Sequence, residues 1–387
     1  DTVVDANIRI IELADNLTID RIQTGGTTGN VFLETAAAIV DNEDTQIDVS
    51  AANVSLRSRT GAGNGNSLET AISTLAAVNT VSGDIEISNS VGGLLTIGTV
   101  DMVSGVVNEG TDDITITNAS PMTISNNVVT DGAVTLTSTD TAGNDDFTVD
   151  PNVVIASNTM SVTINSGDDY SQDATATLNA ATTVTININN GNADGTNATA
   201  TIDGSISAVT SVTVNGNAAT SDTLASTAID SNYEVTAAEA GTLTRGVGSV
   251  IIFASIENLE GGAGDDLFDL NAGTLSGSVD GGAGSNTLQL DDNANTVSVD
   301  GGDTGTATGI GTTAGTFTNI GNINGGSDTD AVTIASGGSL SGSVDGGGNT
   351  DTLAQADGTN TFSLTGTDSG TVSDVTGTFS SFENLTG

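Results

Sequence analysis

The chain has 387 residues, including 50 glycines and 2 prolines, and its formal net charge at pH 7 is -44. Histidine, cysteine, tryptophan and lysine are absent, and the 5 basic residues are all arginines. This inventory excludes a Ser-His-Asp triad, a thiolate nucleophile, a lysine Schiff base and the usual zinc site. The charge argues against nucleic acid as a partner, because affinity for phosphates needs cations.

The chain begins with patterns typical of strands, at Val3-Val4 and again between Ile8 and Ile11. Most of the cations lie in this early part of the chain, namely Arg9, Arg21, Arg57 and Arg59. They are either outward-facing positions on strands or a docking surface for an acidic neighbour. We expect no membrane span, because no apolar run reaches the about 18 residues that a transmembrane helix needs.

Triplets whose first and third residues are apolar, and whose middle residue is usually polar, recur from residue 31 to residue 214. They begin at Val31, Val54, Ile85, Ile114, Val134, Val162, Val184 and Val212. Alternation of this kind predicts strands with one buried face, and their spacing of about 20–30 residues matches the rungs of a solenoid. Secondary triplets between them, beginning at Leu95, Met122 and Phe147, predict two or three strands per rung.

These patterns predict an all-β protein, a right-handed parallel β-helix (β-solenoid) of rod-like shape. A β-sandwich is the alternative, but it favours longer strands and Asn-Gly or Asp-Gly hairpin turns. Helical periodicity is confined to residues 67–77, where Leu68, Ile72 and Leu75 are spaced for one helix face. That segment predicts either a short lateral helix or an irregular loop on the flank of the solenoid.

The pattern changes near residue 245, so we divide the chain into an irregular β-helix over 1–245 and a Gly/Asp-rich solenoid over 246–387. The second part contains two tandem units of about 64 residues. FASIENLEGG at 253–262 recurs as FTNIGNINGG at 317–326 and begins again as FSSFENLTG at 379–387. LSGSVDGG occurs at both 275–282 and 340–347. Gly-Gly pairs recur inside these units, which predicts three rungs of about 20 residues in each.

The triplet region resembles filamentous-haemagglutinin-like bacterial surface adhesins, which are β-strand-repeat proteins. The segments that carry the resemblance are GDIEIS at 83–88, GLLTIG at 93–98, DITI at 113–116 and GAVTLT at 132–137. The resemblance covers about residues 25–215 and implies a secreted right-handed β-helix that is part of an adhesin.

The second half resembles the haemolysin-type calcium-binding nonapeptide, in GGAGDDLFD at 261–269. By this resemblance Gly261 and Ala263 supply carbonyl oxygens and Asp266 supplies a carboxylate to Ca²⁺. The later copies depart from the pattern: GGAGSN has asparagine at the acidic position, and GGSDTD and GGGNTD lack the third glycine. They place Asp330 and Asp351 at the ligand position. Ordinary Gly/Asp corners of a solenoid are the alternative interpretation.

We therefore predict a protein without enzymatic activity, extracellular or on the cell surface, that acts in adhesion or as a filament or matrix subunit. Its expected partners are other copies, paired through the solenoid ends, and a host or environmental surface or glycan. One alternative is a polysaccharide-active β-helix enzyme that uses paired carboxylates, although only Tyr170 and Tyr233 are present as polar aromatics. Another is a calcium-dependent surface-layer or matrix protein, stabilised by calcium mainly between residues 245 and 387.

Overall fold

The computed structural model describes residues 7–24, 28–42, 45–90, 93–141, 143–311, 316–356 and 361–387. Every regular element among these residues is a β-strand. Contacts divide the chain into two compact units, Asp1–Thr220 with Val247–Ser249, and Ser221–Gly246 with Val250–Gly387. The compositional change near residue 245 falls inside the second unit. The strands expected at Val3-Val4 lie outside the described residues.

The first unit contains strands β1 to β27. In chain order they are β1 Ile8–Glu12, β2 Leu17–Ile19, β3 Ile22–Gln23, β4 Asn30–Thr35, β5 Ile39–Asp41, β6 Val49–Ser50, β7 Asn53–Ser58, β8 Leu68–Ala71, β9 Thr74–Asn79, β10 Ile85–Asn89, β11 Leu95–Ile97, β12 Thr99–Val100, β13 Val103–Ser104, β14 Val106–Asn108, β15 Ile114–Asn118, β16 Met122–Ile124, β17 Val128–Thr130, β18 Val134–Ser138, β19 Phe147–Val149, β20 Val154–Ser157, β21 Val162–Asn165, β22 Tyr170–Gln172, β23 Thr177–Ala180, β24 Thr183–Asn187, β25 Thr199–Ile202, β26 Ser205–Ala208 and β27 Ser211–Asn215.

Parallel pairing between successive rungs builds this unit. One ladder runs β3, β6, β8, β10, β15, β18, β21, β24, β27. A second runs β1, β4, β7, β9, β11, β16, β19, β22, β25. A third leaves the end of β9 and runs β14, β17, β20, β23, β26. Three strands per rung is the architecture of a parallel β-solenoid, as the triplets predict.

The register aligns like residues on top of one another. Ile114 pairs with Val134, and Val134 pairs with Val162, with all three side chains fully buried. Each such residue contributes about 1.5–3 kcal/mol by burial, so short strands are stable only as a stack. The all-β solenoid is thus confirmed, whereas its right-handed winding and rod-like shape stay predictions.

One expectation for this unit is wrong. Residues 67–77 form neither a helix nor a loop, because β8 and β9 occupy them. Leu68, Ile72 and Leu75 are buried, but a corner after Ala71 separates two strands, and this corner imitates helical spacing. The structure further shows that the main triplets belong to two ladders: those beginning at Val31 and Val54 lie in the second ladder, and those from Ile85 onwards lie in the first.

The second unit contains strands β28 to β46. In chain order they are β28 Thr223–Ala225, β29 Ser231–Ala237, β30 Ala240–Arg245, β31 Ile251–Ala254, β32 Asn258–Glu260, β33 Leu267–Asp269, β34 Val279–Asp280, β35 Thr287–Gln289, β36 Thr296–Gly301, β37 Thr304–Ala307, β38 Thr316–Thr318, β39 Asn322–Asn324, β40 Ala331–Ile334, β41 Val344–Asp345, β42 Thr352–Gln355, β43 Ser363–Gly366, β44 Ser369–Thr371, β45 Phe379–Ser380 and β46 Asn384–Thr386.

Parallel ladders again hold this unit together, but antiparallel strands interrupt them. The parallel ladders are β29-β33-β35-β39-β41-β45, β28-β32-β34-β38 and β36-β40-β42-β46. Three antiparallel meanders, β29-β30-β31, β36-β37-β38 and β43-β44-β45, are inserted into them. A longer rung with a meander alternates with a shorter rung without one.

Hydrogen bonds at the corners measure these rung lengths directly, since they join residues 35, 20, 35 and 21 positions apart. The prediction of three equal rungs in each 64-residue unit is therefore wrong. The repeated phenylalanines, Phe253, Phe317 and Phe379, lie on the last strand of each meander and are fully buried.

Candidate functional site

The predicted calcium ligand Asp266 lies at the corner before β33 and is buried. Its Oδ1 accepts the N–H of Ser231 at 2.7 Å, and its Oδ2 accepts the N–H of Gly262 at 2.9 Å. A Cβ at Gly261 would lie 2.3 Å from Oδ2, so glycine is needed there whether or not an ion is bound. The corner amides therefore engage both oxygens of this carboxylate.

Asp330 has the same role before β40, because its two oxygens accept the N–H groups of Asn295 and Gly326, each at 2.8 Å. Asp351 stacks on it and accepts the N–H of Asp330 at 2.7 Å, and Glu383 accepts the N–H of Asp351 at 2.7 Å. Burial, together with the charges of Asp330 and Glu383, raises the pKa of Asp351. These acids form a column that ties one rung to the next.

The five predicted calcium-binding residues therefore belong to two columns. Gly261, Ala263 and Asp266 share the turn before β33, while Asp330 and Asp351 precede strands of another parallel ladder. Through their N–H groups, Gly261 and Ala263 bond to carbonyls of Asp280 and Thr227 at 2.8 and 3.1 Å. Calcium at these corners stays a prediction, and the corner interpretation accounts for the contacts that the carboxylates make.

Two carboxylate clusters that sequence reasoning missed lie in the first unit. In each, one oxygen per residue lies within 4.8 Å of an oxygen of the other two, and the clusters consist of Asp41, Asp48 and Glu69 and of Asp140, Asp168 and Asp194. Their signal in the sequence is weak, because the acids are separated by the length of a rung and only stacking brings them together.

Asp48 is fully buried in the first of these clusters. Its Oδ2 accepts the N–H of Glu69 at 2.9 Å. Burial raises the pKa of Asp48 to about 8, the Glu69 N–H opposes the rise, and the carboxyl group of Asp41 adds to it. At neutral pH Asp48 consequently keeps its proton in the folded protein and carries no full charge.

Asparagine side chains form ladders inside and outside the first unit. In the core, Asn89 accepts hydrogen bonds from Thr70 Oγ1 and Ile72 N at 3.0 and 2.9 Å, and donates to Asn118 Oδ1 at 2.7 Å. On the outside, Asn215 donates to Asn187 and Asn187 donates to Asn165, at 2.9 and 2.8 Å. Both ladders satisfy polar groups along the stacking direction.

Arg9 and Arg57, two of the early arginines, have partners for their side chains on the surface. Arg9 forms an ion pair with Asp101, and its guanidinium carbon lies 4.7 Å from the ring centre of Phe32. Arg57 donates to the carbonyl of Asp101 at 3.2 Å. These contacts fasten the β12-β13 hairpin, so for Arg9 and Arg57 an outward strand position with an internal partner describes the structure better than a free docking surface.

Comparisons of the chain with protein-family models, with curated proteins and with solved structures found no match. Within the described ranges, no helix is long and apolar enough to cross a membrane.

Proposed function

We propose that this chain is a non-enzymatic structural protein, extracellular or on the cell surface, that acts in adhesion or as a subunit of a filament or matrix. The observation that carries the proposal is that polar side chains bond from rung to rung. Carboxylates accept the corner amides of the next rung, as in the bond from Ala133 N to Asp113 at 2.7 Å and from Ser285 N to Asp265 at 2.7 Å. A scaffold of defined length is what such a stack supplies.

Several aspartates are adjacent to a second aspartate in the sequence, and their contacts favour a structural protein over a polysaccharide-active enzyme. Asp113, Asp169 and Asp292 each accept a main-chain N–H of another rung, from Ala133, Thr199 and Ser327. The two tyrosines, Tyr170 and Tyr233, are 0% exposed and cannot stack on a sugar. A glycosidase needs an acid and a second carboxylate facing one substrate, usually with aromatic support.

The test is to incubate the purified chain, with and without calcium, with a panel of acidic and neutral polysaccharides and to measure new reducing ends. We expect none above a buffer control. Release that increases with protein concentration and falls in an Asp168→Asn or Asp112→Asn variant would contradict the proposal.

The second candidate function, a calcium-dependent surface-layer or matrix protein, is favoured by the carboxylate clusters of the first unit. The partners proposed for this structural protein are other copies of the chain and a glycan or host surface. Two measurements distinguish adhesion from a matrix role: sedimentation at increasing protein concentration, with and without calcium, and binding to immobilised glycan. A chain that stays monomeric in calcium and binds the glycan supports adhesion. Polymers that form only with calcium support a matrix.

A further inference from the structure

The corner formed by Asp140, Asp168 and Asp194 brings together acids of three successive rungs. These residues follow β18, β21 and β24, which pair in parallel in one ladder. Stacking therefore places the three carboxylates at the same corner, with one oxygen of each within 4.8 Å of the others. We call this group the Asp140 corner.

Buried oxygens without hydrogen-bond partners are the second, independent observation at this corner. Asp140 is only 8% exposed, and its Oδ2 accepts the N–H of Ala193, but its buried Oδ1 has no partner among the described residues. Asp145 is 1% exposed, and its buried Oδ1 is equally without a donor. The side-chain oxygen of Asn192 is a third buried acceptor of this kind.

Asp145 belongs to the same corner. Its N–H donates to Asp168 Oδ2 at 2.7 Å, and its Oδ2 accepts the N–H and hydroxyl of Thr141, each at 2.6 Å. A buried carboxylate oxygen without a donor is unfavourable, because it has lost its hydrogen bonds to water and gained none from the protein. Several of them at one corner need a common partner, and the chain has only 5 basic side chains with which to supply one.

A divalent cation of the hard, oxygen-binding type satisfies this requirement. Carboxylates and an asparagine oxygen are ligands of Ca²⁺, and a chain without histidine and cysteine offers neither imidazole nor thiolate to a transition metal. The loop that carries Asp194 alternates oxygen-bearing residues at Asn190, Asn192 and Asp194 and continues with Gly195, whose φ is +73°. This spacing is that of the first ligands and the glycine in calcium loops.

We propose that the Asp140 corner binds a calcium ion through Asp140, Asp168 and Asp194, with Asp145 and Asn192 as further oxygen donors, and that the ion joins three rungs of the first unit. This inference does not rest on the proposed function. It places calcium in a different unit from the nonapeptide-like corners.

The test is calorimetric titration of the full chain with calcium, after removal of metals with a chelator. For wild type we expect binding with a Kd in the range of about 10⁻⁴–10⁻³ M. Asp194→Asn removes one ligand charge from an exposed position, so the fold is kept, and we expect at least about a tenfold loss of affinity at one site.

Asp173→Asn is the matched control. Asp173 accepts the N–H and hydroxyl of Thr175 at 2.8 and 2.7 Å, just as Asp194 accepts those of Thr196, each at 2.9 Å, but Asp173 is outside the corner. Hydrogen exchange locates the ion: calcium is expected to slow the amides of residues 189–197 in wild type and in Asp173→Asn, but not in Asp194→Asn.

The proposal is overturned by no binding by wild type up to about 10 mM calcium, by equal binding by wild type and Asp194→Asn, or by an equal loss in both variants. Protection confined to residues 261–355 also overturns it, and would assign calcium to the nonapeptide-like corners instead.

Discussion

At the scale of single residues, burial of acids governs how this protein responds to pH. Most carboxylates accept main-chain hydrogen bonds, which favours their charged form, but a few are buried among other acids. Asp48 and Glu257 are the clearest cases, with burial raising their pKa values to about 8 and about 7. Such groups keep a proton in the folded state that the unfolded chain has already lost.

Asp48 provides the first prediction. Between its ordinary pKa of 3.8 and its folded pKa of about 8, only the folded state holds the proton. The stabilisation is complete below the ordinary value and is lost as pH rises through the folded value, at no more than about 1.4 kcal/mol per pH unit. We expect Asp48→Asn, which stays neutral, to flatten the fall of unfolding free energy with pH.

The measurement is chemical unfolding of wild type and variant at a series of pH values. Asp173→Asn is the control, because hydrogen bonds from Thr175 hold the pKa of Asp173 below its ordinary value. Loss of the Asp173 carboxylate should therefore leave the fall of unfolding free energy between the two pKa values of Asp48 unchanged. An identical slope in wild type and Asp48→Asn would show that Asp48 is not the titrating group.

Three glycines provide the second prediction. Gly241, Gly305 and Gly370 face Phe253, Phe317 and Phe379 across the antiparallel meanders. At Gly305 a Cβ would lie 2.1 Å from the carbonyl oxygen of Ser298 and 2.7 Å from the ring of Phe317.

We expect Gly305→Ala to lower the free energy of unfolding of the second unit by about 1–3 kcal/mol, the usual result of overpacking. Gly246→Ala is the control, since no atom lies within 4 Å of its added Cβ. Urea unfolding of both variants checks this, and equal stability of the two would disprove the close packing.

At the scale of elements, stacked rungs depend on polar ladders as much as on the apolar core. Asn89 joins three rungs through Thr70, Ile72 and Asn118, and it is buried. Its oxygen accepts a corner amide, and its amide group continues the ladder. An isolated short strand has no such support, so the ladder determines which rungs remain in register.

The third prediction is that Asn89→Ala destabilises the first unit by about 2–4 kcal/mol, because buried donors and acceptors on two rungs lose their partner. Asn187→Ala, on the outer ladder, is the control and is expected to change stability by less than about 1 kcal/mol, since water replaces its partners. Thermal unfolding followed by circular dichroism measures both, and similar losses in the two variants would contradict the distinction.

At the scale of the whole molecule, repulsion among the acidic groups is the dominant long-range interaction, because the net charge is -44. Self-repulsion of this size disfavours the folded state, and salt screens it over about 10 Å at 0.1 M and about 3 Å at 1 M. The rung-to-rung hydrogen bonds act at contact distance, so screening affects them much less.

The fourth prediction is therefore that the Tm of both units rises as sodium chloride is increased from about 0.01 M to about 1 M. Tetramethylammonium chloride at the same ionic strength is the control, because it screens charge without binding at oxygen sites. A Tm that stays constant or falls in both salts would show that repulsion does not limit stability.

The sequence by itself determined the all-β solenoid and the strands that carry the apolar triplets, because alternation at Ile114, Val134 and Val162 reports directly which side chains are buried. It also located the Gly-Gly corners and the repeated phenylalanines. Local patterns failed where a corner interrupts them, as at Ile72, whose spacing from Leu68 imitates a helix.

Only the tertiary structure decided which distant residues share a corner. Asp140, Asp168 and Asp194 are a rung apart along the chain, and the variable lengths of the rungs hide their alignment. The meanders could not be predicted for the same reason, since no local pattern shows that Gly305 and Phe317 lie opposite each other on paired strands. Contacts along the stacking direction depend on register, and register is set by the packing of all rungs together.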